Sequence, residues 1–333
     1  MRKIVCLLTM ILLILVSGCA LLDRNTGEPE IPSQNGDELP APGRELRETV
    51  LYLPDAAGQV LVPVRVNIPW EEGIAKATLL HTRAGNMPAA ISELGLAPLL
   101  PAGTDILGMT IRDGLVRVDF NAEFLKYIPE HERLIISGIV YTLTEFPTIN
   151  EVEILVEGKV PAIDGTLSVA EPLSRDIGLN LEVSAAVNDF EDTQQILLYF
   201  LYPVGENALY VPVTRVVDKT EDLLQVTVQE LITGPGAASP LFTALPKDVV
   251  LQSVSTEGNQ VTINVSGDFT AVRGGQLAAD RIRDQLALTL TEVSGVMEVS
   301  ILVDGAPPEF VSGIYIPETF GRPAKWNMAA ETE

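Results

Sequence analysis

The chain has 333 residues, of which 47% are hydrophobic, and it carries 22 Lys and Arg residues against 45 Asp and Glu residues. This length suits two domains of ordinary size, each with its own hydrophobic core. The net charge of −23 repels nucleic acid phosphates, so we expect no DNA or RNA partner. The acidity serves either solubility or a specific partner with a basic surface, and both interpretations stay open.

Residues 1–18 have the pattern of a secretory signal segment. Two basic residues precede an apolar run at 4–16, which is shorter than a comfortable membrane span. The run ends in Leu-Val-Ser-Gly followed by Cys19, and this sequence resembles the bacterial lipobox. The resemblance implies cleavage before Cys19 and a diacylglycerol on its thiol, and two or more acyl chains hold a protein stably on a bilayer. The alternative is an uncleaved N-terminal anchor with an incidental cysteine.

Residues 19–45 are predicted to form a flexible tether. They contain four prolines and three glycines and show no apolar periodicity. A coil of this length spans about 25–30 Å. The other cysteine, Cys6, lies in the signal segment, so the body of the protein can build neither a disulfide framework nor a thiolate metal site.

Residues 46–160 are predicted to form the first domain. Apolar alternation indicates strands at 49–53 and 60–66. A helix is predicted from 70 to about 83, with Glu71 and Glu72 at the positive end of its dipole.

A hairpin, a helix and a strand complete this domain. Asp113-Gly114 stands between apolar runs at 105–111 and 115–120, which is a strong hairpin signal. Pro129 suits the first turn of the following helix, and residues 152–156 alternate as a strand. The predicted element order is therefore β-β-α-β-β-α-β.

The second half of this domain returns with an offset of 147 residues. The run 141–158 matches the run 288–305, and the pair Thr144-Glu145 matches Thr291-Glu292. Each copy also has an apolar helical stripe at spacings of four, four and three. Its members are Ile135, Ile139, Leu143 and Phe146 in the first copy and Ile282, Leu286, Leu290 and Val293 in the second. Such a long period indicates a duplicated domain, because solenoid units run about 20–50 residues.

The second domain is predicted at 193–306 and repeats the order of the first. Its Val211-Pro212-Val213 corresponds to Val62-Pro63-Val64, and its first helix is predicted at 222–232. Glu221 and Asp222 stand at the start of that helix, where capping and dipole effects explain them without acid–base catalysis.

Two less regular segments flank the second domain. Residues 161–192 are predicted to connect the domains, with a short strand or a packed connector at 182–187. Residues 307–333 form a C-terminal tail, which we expect to be frayed beyond Trp326.

Several short motifs recur in the same order in both halves. Gly234-Pro235 follows the predicted helix, Leu245-Pro246 comes next, and the Thr-Leu-Thr-Glu block closes the series. The first half has Leu100-Pro101 and its own Thr-Leu-Thr-Glu block, but Gly85-Asn86 stands where the second half has Gly234-Pro235. This ordered set resembles the GerMN domain. A lipoprotein signal, a tether and two tandem GerMN domains are the layout of GerM-like sporulation and spore-germination lipoproteins.

The resemblance covers roughly residues 46–306 and carries several implications. It implies an α+β fold, with two tandem copies of one domain similar to the ring-building modules of secretion systems. It implies a non-enzymatic protein on the extracytoplasmic face of the membrane, which in a sporulating cell faces the intermembrane space. There it would support assembly or localisation of the mother cell–forespore channel complex. The implied partners are envelope and sporulation channel proteins, and self-association is a further expectation.

The sequence contains no recognisable catalytic constellation. It has no phosphate loop, dinucleotide fingerprint or Gly-x-Ser-x-Gly elbow. We therefore expect no catalytic, cofactor-binding or metal-binding residues, and only the lipid attachment at Cys19. His81 and His131 have no counterpart in the other copy, so we interpret them as helical-surface residues rather than as a base or metal ligands. The repeated Thr-Glu pair forms either a contact common to both copies or a local backbone contact.

Two other function classes stay open. The protein could be an envelope binding module, for cell-wall glycan or as a sensor. A carbohydrate binder usually displays exposed aromatic residues, but aromatics make up only 5% of this chain. An envelope hydrolase with an unrecognised site is the third class, and it would show a cleft with perturbed carboxylates.

Overall fold

The computed structural model describes residues 45–163, 167–267, 269, 274–310 and 313–329. The predicted signal segment, almost all of the predicted tether and the predicted lipid attachment residue Cys19 lie outside the described residues. The rest belongs to one compact unit, Arg44–Glu333. None of the described helices combines the length and the apolar character that crossing a membrane requires.

The first repeat begins with a long hairpin. Strands β1 (Leu46–Pro54) and β2 (Leu61–Pro69) pair in antiparallel orientation, with Tyr52 opposite Pro63. Most residues of both strands are buried. This hairpin therefore forms part of the core rather than a surface flap.

The helix after β2 is shorter than predicted. Helix α1 spans Ile74–Leu80, because Gly73 adopts a left-handed conformation with φ of 83° immediately before it. The first turn contains no acidic residue, so the predicted dipole contact of Glu71 and Glu72 is wrong. A four-residue helix that was not predicted, α2 (Ala89–Ser92), follows.

A three-stranded sheet forms the other half of the first repeat. Strands β3 (Ile106–Arg112) and β4 (Leu115–Phe120) form the predicted hairpin. Asp113 and Gly114 have φ of 52° and 85°, and a two-residue type I′ turn needs positive φ at both positions. Strand β5 (Glu151–Val156) pairs parallel to β4, so the chain between them must cross over the sheet.

Helix α3 (Glu132–Leu143) makes this crossover and buries the predicted stripe. It follows a 3-10 turn at Pro129–His131. The stripe residues of the helix, Ile135, Ile139 and Leu143, are all buried. Phe146 lies beyond the end of the helix and is partly buried against the same core.

The segment after the first repeat has little regular structure. It contains a 3-10 turn at Arg175–Ile177 and the two-residue strand β6 (Glu182–Val183). Of the two alternatives predicted at 182–187, a short strand or a packed connector, the structure shows a strand in the first two residues only.

The second repeat has the predicted order. Its elements are β7 (Thr193–Val204), β8 (Asn207–Asp218), α4 (Leu223–Thr233), β9 (Val250–Glu257), β10 (Gln260–Ser266), α5 (Gly275–Leu290) and β11 (Glu298–Val303). Strand β9 pairs antiparallel and β11 parallel to β10, as in the first sheet. Asp222 directly precedes α4 but makes no capping hydrogen bond with its side chain, so the predicted capping role is wrong.

The C-terminal segment is ordered further than predicted. Strand β12 (Thr319–Gly321) covers the edge of β11, where Phe320 lies opposite Val299. Asn327 and Ala329 are buried, so the prediction of fraying beyond Trp326 is wrong for residues 327–329. Physically, their backbone finds hydrogen-bond partners on another strand, which sequence periodicity does not reveal.

Candidate functional site

The first repeat contains a cluster of a tyrosine, a glutamate and an arginine, here called the Tyr-Glu-Arg cluster. Tyr52 lies on β1, Glu145 follows α3, and Arg175 lies in the 3-10 turn after the repeat. The Tyr52 hydroxyl donates to Glu145 Oε1 at 2.8 Å, and Arg175 Nη2 donates to the same oxygen at 2.6 Å. The cluster thus joins the first strand, the last helix and the trailing segment of the repeat.

The second repeat contains the same cluster 147 residues later. The Tyr199 hydroxyl donates to Glu292 Oε1 at 2.9 Å, and Arg322 Nη1 lies 2.8 Å from that oxygen. Arg322 Nη2 also donates to the Tyr199 hydroxyl at 2.9 Å. The offset found in the last helix and strand therefore extends into the segments predicted as connector and tail.

The repeated Thr-Glu pair makes both contacts that the sequence analysis left open. The hydroxyls of Thr144 and Thr291 donate to backbone carbonyls one turn earlier in their helices, at 2.8 and 2.6 Å. The same hydroxyls also accept hydrogen bonds from the cluster arginines, from Arg175 Nε at 2.8 Å and from Arg322 Nη1 at 3.2 Å. Threonine and glutamate therefore both hold the trailing arginine, and the glutamate alone also accepts from the tyrosine of the first strand.

Burial and charge fix the protonation of these clusters. Burial, reinforced by the neighbouring Glu145 and Glu292 carboxylates, raises the pKa of Tyr52 and of Tyr199 above the ordinary tyrosine value. Burial alone would lower the pKa of Arg175, but the facing Tyr52 and Glu145 outweigh it and raise that pKa. The phenols therefore stay neutral donors and the arginine stays charged at physiological pH.

Two asparagines form a second repeated contact, at the seam where β2 of the first repeat faces β8 of the second. Asn180 bonds both the N–H and the carbonyl of Leu61 at 2.8 and 2.9 Å, and its amide also donates to the Pro212 carbonyl at 2.9 Å. Asn327 bonds both backbone groups of Tyr210 at 2.8 and 2.7 Å and donates to the Pro63 carbonyl at 2.7 Å.

The two asparagine contacts are related by an approximate two-fold exchange of the repeats. Pro63 lies opposite Tyr52, and Pro212 lies opposite Tyr199, so the two prolines are equivalent. Asn180 therefore binds both backbone groups of one residue in the first repeat and the proline carbonyl in the second. Asn327 binds both backbone groups of one residue in the second repeat and the equivalent proline carbonyl in the first. Both asparagines have left-handed backbones, with φ of 49° and 52°, which asparagine tolerates better than most residues.

Beyond each asparagine, the chain joins the sheet of the opposite repeat. Strand β6, which trails the first repeat, pairs parallel to β8 of the second. Met328, which trails the second repeat, forms a parallel bridge with Arg65 on β2 of the first. The repeats thus exchange their trailing segments, and each covers a strand edge of the other.

A buried ion-pair network reinforces one side of this exchange. Arg215 on β8 is only 3% exposed, and its guanidinium pairs with Glu182 of β6 and with Glu230 of α4. The hydroxyl of Ser184 donates to Glu230 at 2.6 Å. A buried arginine is tolerated here because two carboxylates and backbone carbonyls satisfy it.

The histidines take no part in these clusters. His81 ends α1, and its Nδ1 lies 2.8 Å from the carbonyl of Ala77 in the same helix. His131 lies in the 3-10 turn before α3, against Gly58, where an added Cβ would come 2.4 Å from its ring. Within the described part of the chain, His, Cys, Asp and Glu form no group of three or more that could hold a metal.

The sequence analysis identified the glutamates of the clusters but missed their tyrosines, arginines and the seam asparagines. A signal for all of them was present. Tyr52, Arg175 and Asn180 recur 147 residues later as Tyr199, Arg322 and Asn327. The trailing segments show no apolar periodicity, so the apolar pattern reveals the repeat only as far as the last strand.

Comparison with known proteins agrees with this duplicated architecture. The family model Germane, described as sporulation and spore germination, matches residues 50–161 and 197–309. The spore germination protein GerM of Bacillus subtilis (strain 168) is 32% identical over 289 residues, which cover 84% of this chain and 78% of that protein. The solved tandem GerMN domains of the sporulation protein GerM from Bacillus subtilis superpose with a TM-score of 0.70 at 28% identity, covering 86% of this chain and 100% of that one. The predicted α+β class with two tandem copies is confirmed.

Proposed function

The chain belongs to the Germane family of sporulation and spore germination proteins, and from this membership we propose that it acts by docking rather than by catalysis. It supports assembly or localisation of the mother cell–forespore channel complex, as a lipoprotein held on the extracytoplasmic face of the membrane through Cys19. Its partners are envelope proteins of that complex. A lipid tether raises the local concentration of the body near such partners without adding any contact.

The reciprocal exchange of trailing segments is the observation that carries this proposal. It joins the two repeats through Asn180, Asn327 and the buried Arg215 network, so both present their surfaces in one fixed arrangement. A rigid body with two related surfaces suits a scaffold, because preorganisation lowers the entropic cost of binding. The net charge of −23 favours a basic partner surface and predicts that binding weakens with salt.

One feature favours the second candidate, an envelope binding module. A cavity of about 530 Å³ lies on the outer face of β10 and β11, within the size range of small-ligand sites. Its lining combines the polar side chains of Gln260 and Ser300 with the rings of Phe310 and Tyr315. Amide and hydroxyl groups beside aromatic rings suit a sugar, so this candidate predicts binding of soluble cell-wall fragments.

Deletion of the gene in its own host tests the main proposal. We expect a channel component to lose its assembly or localisation during spore formation, while vegetative growth is unchanged. Wild-type protein and the double variant His81→Ala, His131→Ala should both restore function, and variants lacking Cys19 or either repeat should not. Normal sporulation in the deletion strain would refute the proposal. Failure of a folded double-histidine variant would point to an enzyme or a metal site instead.

A further inference from the structure

In each repeat, the sheet that is crossed by the last helix has one open edge. The outer edge of β3 in the first repeat and of β9 in the second has no strand or isolated bridge beside it among the described residues. The opposite edge of each of these two sheets is covered, because Leu173 bridges to β5 and β12 lies on β11.

Each edge strand has a register irregularity far from the turn, at Leu107 in β3 and at Gln252 in β9, and the residues between that point and the turn pair regularly with the neighbouring strand. Strand β3 reads Ile-Leu-Gly-Met-Thr-Ile-Arg and β9 reads Val-Leu-Gln-Ser-Val-Ser-Thr-Glu, so neither contains proline and the only charge lies at the turn. Leu107 and Val250 on these edges are 55% and 60% exposed. Long edges with exposed apolar residues and no internal charge pair readily with another strand.

The turn geometry identifies which backbone groups are free. Both hairpins have two-residue loops, closed by Arg112 opposite Leu115 and by Glu257 opposite Gln260. The two residues of each closing pair bond to each other, and bonded and non-bonded positions alternate along an antiparallel pair. On each edge strand, the residue next to the closing residue and every second residue from there therefore point their N–H and C=O outward. The outward residues are Met109 and Ile111 on β3 and Val254 and Thr256 on β9.

A groove runs beside these same residues in each repeat. In the first repeat it measures about 480 Å³ and lies between Met109, Ile111, the start of α1 and Phe146. In the second it measures about 310 Å³ and lies between Val254, Thr256, the start of α4 and Val293. A strand added to either edge would direct alternate side chains into the groove, because its pleat continues that of the sheet.

The two grooves differ in charge. The first is lined mainly by apolar side chains, and its one amino group, Lys76 Nζ, already donates to the Ile106 carbonyl at 2.7 Å. The second has Glu221 and Asp222 at its mouth. Both carboxylates are exposed, and neither forms an ion pair with the described residues. The first groove therefore favours aliphatic side chains, and the second favours Lys or Arg.

We propose that the outer edges of β3 and β9 receive extended segments of a partner protein. These segments pair with the outward backbone groups, placing aliphatic side chains in the first groove and basic side chains in the second. The inference rests on the proposed docking function and adds the chemistry of the partner's docking segments. This mode of binding takes its affinity from main-chain hydrogen bonds and its specificity from the alternate side chains.

Hydrogen–deuterium exchange of the purified full chain tests this inference, with a short synthetic peptide that alternates valine and lysine as the probe. One face of such a strand fits the first groove and the other face fits the second. We expect amide exchange in 106–112 and 250–257 to slow by about tenfold with saturating peptide. A peptide that alternates valine and glutamate should protect β3 alone. A peptide that alternates serine and glutamate has neither aliphatic nor basic side chains, and it should protect neither edge.

Variants assign the protection to each groove. Ile111→Lys should abolish protection of β3 only, and Asp222→Lys should abolish protection of β9 only. Thr110→Lys is the matched control, because Thr110 is exposed on the opposite face of β3, and it should retain both effects. Absence of protection at both edges, or equal protection by the serine–glutamate peptide, would overturn the inference. Protection that grows with protein concentration in the absence of peptide would assign the edges to a second copy and overturn the partner assignment.

The outcome is separable from that of the proposed function. A deletion strain that sporulates normally would refute the cellular role while leaving measured pairing at β3 and β9 intact. Conversely, unprotected edges would overturn this inference while leaving a sporulation defect in place.

Discussion

Asn180 and Asn327 lie 147 positions apart, and each hydrogen-bonds the backbone of both β2 and β8. Neither residue belongs to the sheet that it binds. Each trails one repeat and closes the seam between the two. The seam therefore depends on two side-chain amides, which supply hydrogen bonds to the backbones of β2 and β8 that a direct β-ladder between the two strands would otherwise supply.

Asn327→Ala should lower the free energy of unfolding by about 2–4 kcal/mol, because buried backbone groups of Tyr210 and Pro63 lose their partners. Asn327→Gly is the matched variant, since it removes the same hydrogen bonds but tolerates the left-handed backbone. It should be about 1 kcal/mol less damaging than the alanine variant. Urea denaturation measures both. Wild-type stability in both variants would show that the seam does not need this side chain.

Arg215→Ala should destabilise the protein by about 3–5 kcal/mol, because Glu182 and Glu230 would be left as poorly compensated buried charges. The control is Arg117→Ala, which removes an ion pair with Glu153 at 2.7 Å whose arginine side chain is 56% exposed. Exposed pairs contribute about 0–1 kcal/mol. Equal losses in the two variants, measured by chemical denaturation, would contradict a special role for the buried network.

Leu143→Ala and Leu290→Ala should each cost about 2–5 kcal/mol, because both leucines are fully buried at equivalent positions of the last helix. Leu277→Ala provides the control, since Leu277 is 51% exposed and its truncation should change stability by no more than about 0.5 kcal/mol. Thermal and urea unfolding of the three variants would decide. A large loss in only one repeat would argue against equivalent packing.

The tyrosines of the clusters predict a loss of stability at high pH. Their pKa values are raised in the folded protein, so their contribution is complete below the unfolded tyrosine pKa of about 10 and declines as pH rises through the folded value. Tyr199→Phe removes one of the two phenols whose pKa is raised on folding. It should reduce the alkaline slope of stability by about 1.4 kcal/mol per pH unit. Denaturation curves across this range test it, and an unchanged slope would contradict it.

Cys19→Ala should release the protein from membranes or leave an unprocessed precursor, because the thiol is the predicted acyl attachment point. Fractionation of cells that express each form measures the first effect, and mass spectrometry of the N-terminus measures the second. Cys6→Ala is the control, since this cysteine lies within the predicted signal segment and its loss should leave anchoring intact. An unmodified residue 19 in membrane-bound protein would disprove the assignment.

The sequence by itself determined the duplication, the order of the main strands and helices in each repeat, and the buried stripe of the last helices. These features follow from local patterns: alternation for strands, a 3.6-residue period for helices, and Asp-Gly for the β3–β4 turn. Leu143 and Leu290 could be placed in the core for this reason. The glutamates of the clusters could be singled out because they repeat, although their partners could not be named.

Tertiary structure alone decided the role of the trailing segments and of the residues that dock them. Arg175, Asn180 and their repeats lie in stretches without periodicity, where local sequence does not specify a conformation. Their positions are set by long-range hydrogen bonds to β2, β8 and the buried tyrosines, and such partners are known only once distant strands are brought together. The ordered C-terminus follows for the same reason, because Asn327 bonds the backbone of strands that lie far away in the sequence.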